Sequence, residues 1–234
     1  VDMALSLADS RAILPDPIAM GYVRCSSKAG FLLINTQPTL CYTKLNDWHS
    51  KSTGILDFEW SDRAQRLLTR SDVSVYLHDS KNYINYRQQK NQEIKSDITH
   101  EKSVGFFDGE YQTYHIKEDP YSALLKNRRE LYISPNGDIR GEDQIFLSQP
   151  GTGYLRFLAA PGLEWRITGE NESAFLCKSN SDKTQKPEHI KRFLCQGNVQ
   201  LNVYDVLGQH ALCLTFLIPD NQQISLKWAL SPVN

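Results

Sequence analysis

The 234-residue sequence has almost no net charge: 26 Lys and Arg stand against 27 Asp and Glu, which leaves −1. That balance removes the electrostatic case for nucleic acid, which needs a basic field to displace counterions from phosphates. No run approaches the roughly 20 apolar residues that cross a bilayer, so no membrane insertion is expected. The opening stretch from Val1 to Asp9 has neither a basic start nor an apolar core and does not read as a signal peptide. A chain that opens on Val1 rather than Met is expected to have lost something upstream.

Catalytic signatures are equally scarce. No G-x-S-x-G elbow supports a serine nucleophile, and no glycine-rich loop cradles a phosphate. His49, His78, His100, His115, His189 and His210 never form an H-x-H or H-x-x-x-H pair. A zinc site would therefore have to be assembled from distant strands, and neither a metal nor a cofactor is expected. Cys25, Cys41, Cys177, Cys195 and Cys213 are odd in number, widely spaced and without a C-x-x-C arrangement. They read as buried free thiols in a reducing compartment, cytoplasm or organelle matrix, with a disulfide between distant strands as the alternative.

What the chain does have is a large apolar inventory with period-two order. Apolar residues make up 40%, including 4 Trp, 9 Phe and 11 Tyr, enough for a sizeable core. Only the first dozen residues look helical, so 1–20 reads as a lead-in and 21–234 as one domain. Leu56, Phe58 and Trp60 alternate with Asp57 and Glu59, and Val73, Val75 and Leu77 alternate with Ser74, Tyr76 and His78. Phe31 to Ile34 and Cys213 to Ile218 are apolar on both faces, as central strands are. Pro135-Asn136-Gly137-Asp138 is a hairpin signal between two strand-like runs. Pro150 to Gly153 and Pro161-Gly162 bound a strand from Tyr154 to Leu158. About a dozen strands are expected, too many for one open sheet, so the fold class is all-β: two stacked antiparallel sheets with a short N-terminal helix. The polar interval Asn82 to Lys102 reads as a long loop with poor strands, and Ser179 to Lys186 as a second loop.

Candidate chemistry is thin. Asp57 with Glu59, or Glu142 with Asp143, could serve glycoside hydrolysis if they faced each other across a cleft; the simpler reading is a solvated strand face and a turn. Lys126, Arg128 and Arg129 form a basic cluster with Arg140 opposite, able to grip an acidic sugar or phosphate. Glu130, Asp138, Glu142 and Asp143 beside it favour a cross-strand ion-pair ladder instead. A glycan-binding surface would use Tyr111, Tyr114 and Tyr121 with Lys126, Arg128 and Arg129. Asn171-Glu172-Ser173 fits the glycosylation sequon, unremarkable as a single match.

In blocks, the chain resembles the C-terminal β domain of heparinase II/III-type proteins. Asn127-Arg128-Arg129-Glu130-Leu131-Tyr132-Ile133-Ser134 through Leu-like Ile139-Arg140-Gly141-Glu142-Asp143 is similar to that group's "RRRLYLS…G…LRGED" hairpin. Asp108-Gly109-Glu110-Tyr111 resembles "HDGY", Leu56 to Asp62 resembles "LSFELSDG", and Gly21-Tyr22-Val23-Arg24 resembles "GYQRL". Leu155-Arg156-Phe157 with Pro161-Gly162 is similar to "LRFHLHPG", and Trp228-Ala229-Leu230 to the closing "WAL". The resemblance implies a polysaccharide lyase built from an α/α toroid followed by a β-sandwich, acting on acidic glycans. This chain contains no toroid. The family's histidines before the "LSFEL" strand fall on Ser50 and Ser52, with His49 one place out of register, which aims it to the other face. The strand carrying the family's acidic ligand is shortened after Asp62. The "HST" histidine falls on Asp72, or in another register on His100, and the "HLHP" histidines become Leu158 and Ala160. The resemblance thus implies a degenerate, non-catalytic module partnered by other proteins or by a toroid on another chain. The alternatives are a lyase domain that needs such a toroid, with zinc if its site survives, and a module that binds acidic polysaccharide.

Overall fold

The computed structural model describes residues 21–36, 41–45, 48–52, 55–62, 65–77, 94–115, 125–168, 173–179, 187–206 and 208–233. The expected N-terminal helix lies outside them. The described residues form seventeen strands: β1 Tyr22–Ser27, β2 Gly30–Asn35, β3 Cys41–Leu45, β4 Trp48–Ser52, β5 Phe58–Asp62, β6 Gln65–Leu77, β7 Ile94–Ser103, β8 Phe106–His115 and β9 Leu125–Ile133. They continue with β10 Ile139–Leu147, β11 Gly151–Ala159, β12 Leu163–Thr168, β13 Ser173–Lys178, β14 His189–Gln196, β15 Gln200–Val206, β16 Gln209–Ile218 and β17 Gln222–Pro232.

One sheet has seven strands in the order β1-β2-β5-β6-β11-β16-β15, and a second has eight in the order β12-β13-β14-β17-β10-β9-β8-β7. All pairings are antiparallel. The β3–β4 hairpin forms a separate ribbon that packs against β6. The protein is an all-β sandwich, as the alternation of its residues demands.

Between the sheets an aromatic cluster closes the core. Trp228 of β17 stacks on Phe58 of β5, with centroids 5.8 Å apart, and meets Phe157 of β11 edge-on at 4.9 Å. Phe157 also tilts against Phe193 of β14, which meets Trp165 of β12 edge-on. The Trp165 Nε1–H donates to the Phe157 carbonyl at 2.8 Å, so the indole is buried without an orphaned donor. Each such ring buried between sheets stabilises the fold by about 1.5–3 kcal/mol from area alone.

Turn chemistry accounts for the β9–β10 hairpin. Gly137 sits at φ 85°, which L-residues avoid, and the Ser134 Oγ accepts from the backbone N–H groups of Asn136 and Asp138. Ile133 then faces Ile139, and every pair out to Leu125 and Leu147 follows in register.

Three sequence expectations need correction. The strands among the described residues number seventeen rather than about a dozen, because several are only five or six residues long. The interval expected as a long loop with poor strands up to Lys102 holds a full strand, β7, ten residues that pair with β8 along their whole length. It escapes detection because it is an edge strand, where Lys and other polar residues are the rule and hydrogen bonding rather than an apolar face holds the strand. The strand expected from Tyr154 begins at Gly151, which is paired on both sides, to Ile218 and to Leu77. Residues 180–186 and the first two residues of the sequon lie outside the described residues.

Candidate functional site

The charged residues singled out in the sequence sort into three networks, two of them buried. The first crosses the sandwich interior. Arg129 is 1% exposed, its Nε donates to Asp143 Oδ1 at 2.6 Å, and its Nη1 donates to the carbonyls of Leu56 and Ser71. The other oxygen of Asp143 accepts from Trp228 Nε1 at 2.9 Å. The guanidinium also lies 5.4 Å from the centre of the Phe58 ring. One arginine of the eight-stranded sheet thereby holds the backbone of the seven-stranded one.

The second network lies on the far side of the seven-stranded sheet. Asp72 of β6 and Arg156 of β11 are cross-strand partners, and two guanidinium nitrogens meet two carboxylate oxygens, with Nε to Oδ1 at 3.0 Å. Phe157 points into the core, so its neighbour Arg156 points out, yet Arg156 and Asp72 are only 6% and 1% exposed. Arg70 extends the chain of charges, with Nε 2.8 Å from Asp57 Oδ2 and Nη2 3.4 Å from Asp72 Oδ2. Burial, and then the nearby charge of Asp72, push the Asp57 carboxyl up to about 7 against the opposing pull of Arg70 and Arg129.

The third network is solvated and covers the outer face of the eight-stranded sheet. Arg128 meets both carboxylate oxygens of Asp108 and reaches Glu130 at 2.9 Å. Its hydrogen bond to Asp108 raises its pKa further. Glu142 accepts from Ser225 at 2.7 Å and from Gln144 at 3.1 Å. These contacts, with Lys227 nearby, hold its carboxyl below the usual range.

Two members of the expected glycan surface lie inside the core. Tyr111 is 2% exposed and Arg129 1%, because odd-numbered residues of β8 and β9 face the core while Asp108, Arg128 and Glu130 face water. Lys126 shares the outward face with Arg128, whose guanidinium is already shared between two carboxylates. The side chain of Tyr114, and Tyr121 altogether, lie outside the described residues. The expected ladder is present in part: Arg129 pairs with Asp143, though inside the core, and Arg128 with Glu130, while Arg128 also reaches diagonally to Asp108, which was not among the expected members. Arg140 stands opposite Tyr132 and approaches only Asp138, at 3.8 Å.

Neither carboxylate pair forms a dyad. Asp57 precedes β5 and is 13% exposed, so it is not on a solvated face, while Glu59 pairs with Arg66 at the surface. Asp143 is fully buried within β10 rather than in a turn, and Glu142 points the other way. His189 stacks on Phe175 with centroids 4.3 Å apart. His49, His78, His100 and His115 have side chains outside the described residues, and among those described no group of three His, Cys, Asp or Glu could hold a metal. The sequence placed Arg129 and Asp143 in a cross-strand ladder but not inside the core; the Pro135–Asp138 turn fixes their register, since once Ile133 faces Ile139, residue 129 faces 143.

Cys25, Cys177 and Cys213 are buried free thiols and Cys195 is half-buried. Burial pushes Cys177 and Cys213 up to about 11. At pH 8 a thiol reagent should therefore leave Cys25, Cys177 and Cys213 unlabelled in the native protein and label them within seconds in guanidinium. Labelling of Cys213 in native protein as fast as in denatured protein would contradict the burial.

By sequence, the chain matches no family profile and no curated protein. By structure, it superposes on the heparan sulfate lyase HepC from Pedobacter heparinus with a TM-score of 0.52 at 10% identity, over 91% of this chain and 35% of that one. A heparinase III gene product gives 0.51 at 12% identity, over 99% of this chain and 38% of that one. The fold is a heparinase-like β-sandwich. Identity this low speaks to fold alone, and the chain spans little more than a third of the length of the solved structures it matches. The strand blocks that suggested the resemblance fall on β1, β5, β8, β9–β10, β11 and β17, from an edge strand to the middle of both sheets.

Proposed function

We propose that this chain is a non-catalytic β-sandwich module derived from a heparinase II/III-like lyase, which works as a structural or interaction subunit in a larger assembly. The observation that carries the reading is the state of Asp72. At a position where the resemblance expects an imidazole, the carboxylate is buried and fully engaged by Arg156, with Arg70 behind it. A side chain spent on a buried ion pair is not free to grip a metal or move a substrate proton. Leu158 and Ala160, at the positions of two more family histidines, supply only hydrocarbon, and Ala160 is buried. Its partners on this reading are other protein chains, one of which could bring an α/α toroid.

The test is turnover. Purified protein incubated with heparin, heparan sulfate, alginate or chondroitin, with and without added zinc, is expected to give no rise in unsaturated-uronate absorbance and to bind less than a tenth of an equivalent of zinc. A metal-dependent rise, or about one equivalent of tightly held zinc, overturns the reading in favour of a lyase domain awaiting its toroid.

A further inference from the structure

The backbone between the β3–β4 ribbon and β5 turns a corner at Ile55, Leu56 and Asp57. Leu56 holds φ at 61°, a left-handed conformation that a branched side chain adopts only when its surroundings impose it. Three elements impose it. The Leu56 N–H donates to the Asn35 carbonyl at 2.7 Å and the Asn35 N–H to the Asp57 carbonyl at 2.8 Å, both from the end of β2. Arg129 of β9 donates to the Leu56 carbonyl at 2.8 Å. Arg70 of β6 donates to the Asp57 carboxylate. The corner is therefore a stretch where the interior and outer charge networks meet.

We propose that this corner is a proton-operated latch: a proton on Asp57 keeps it closed, and loss of that proton loosens it and frees the β3–β4 ribbon from β6. The charged groups facing Asp57 among the described residues are Arg70 and Asp72 from β6 and Arg129 from β9. Arg156 of β11 neutralises Asp72, and Asp143 of β10 neutralises Arg129. Two of the three charges near Asp57 are thus already matched, and Arg70 is shared with Asp72. An ionised Asp57, at 13% exposure, has half a partner and little water. Opening the corner hydrates the carboxylate and releases the left-handed Leu56 at once.

The sign follows from linkage. The carboxyl is harder to ionise in the closed form than in an exposed one, so the closed form binds the proton more tightly. Closure is strongest at low pH and weakens as pH rises through about 7. With the closed-form carboxyl at about 7, the opening equilibrium rises about tenfold between pH 6 and pH 8, most of it below 7.

Amide hydrogen exchange followed by mass spectrometry tests the latch, with exposure times scaled to the intrinsic rate at each pH. In the wild-type protein, peptides covering 41–57 should lose about tenfold in protection between pH 6 and pH 8, while the β9–β10 hairpin stays unchanged. Asp57→Asn should abolish that pH dependence. Arg70→Gln, which removes the cation that favours ionised Asp57, should move the midpoint upward. Equal protection of 41–57 at both pH values in the wild-type protein overturns the proposal, and so does a pH response that survives Asp57→Asn. The wild-type pH series decides the matter even if a variant fails to fold.

Discussion

Asp143→Ala is expected to lower the unfolding free energy by about 3–5 kcal/mol and the melting temperature by on the order of 10 °C. The carboxylate has two partners that cannot reach water: Arg129, 1% exposed, and the indole N–H of Trp228. Removing it strands a cation in the core and leaves a buried donor unpaired, both at once. The penalty comes from the orphaned charge rather than from the strength of the pair, since a buried ion pair gains little over well-packed hydrocarbon. The double variant Arg129→Met with Asp143→Leu should therefore recover a large part of the loss. Urea unfolding of the two variants separates these effects. A loss under 1 kcal/mol for Asp143→Ala, or a double variant no better than the single one, would show that the guanidinium finds water or another anion.

Gly141→Val is expected to cost about 3 kcal/mol, at the upper end of what overpacking does to a well-filled core. Gly141 lies directly across from Trp228 in the β10–β17 ladder, and a Cβ there would collide with the six-membered part of the indole. The ring has nowhere to go. Phe58 stacks against it, Phe157 meets it edge-on, and Asp143 holds its N–H. Strain at this point spreads to the first prediction's ion pair, so the two substitutions should not add independently. Near-ultraviolet circular dichroism and tryptophan emission should both change in Gly141→Val before any unfolding sets in. Native spectra with an unchanged melting temperature would mean that the cluster is loosely packed, contrary to the geometry.

Much of this architecture was legible before any coordinates. Alternation in Leu56–Trp60 and the apolar run of β16 place those segments correctly because a strand exposes its two faces by turns, and burial writes that period into residue choice. The β9–β10 hairpin was legible for a different reason: Gly137 must take a positive φ, and few residue types can. Where the reading failed, the local signal was weak or ambiguous. β7 has no apolar face to announce it, and its existence depends on the neighbour it pairs with. Tyr111 and Arg129 looked like surface residues because a tyrosine and an arginine are usually at least partly wet; which face of β8 and β9 turns inward is settled by the strands alongside.

The sequence by itself determined an all-β chain, the main turns, the lack of a legible nucleophile or paired-histidine motif, and blocks that resemble those of heparinase-type sandwiches. These follow from properties each residue carries locally: period, backbone freedom, charge and side-chain chemistry. Only the tertiary structure decided which charges are spent inside. Arg129 with Asp143, and Arg156 with Asp72, lie 14 and 84 residues apart in sequence. Whether an arginine is a surface hook or a core strut depends on the water left around it after the sheets have closed, and that is a property of the assembled layers rather than of any segment.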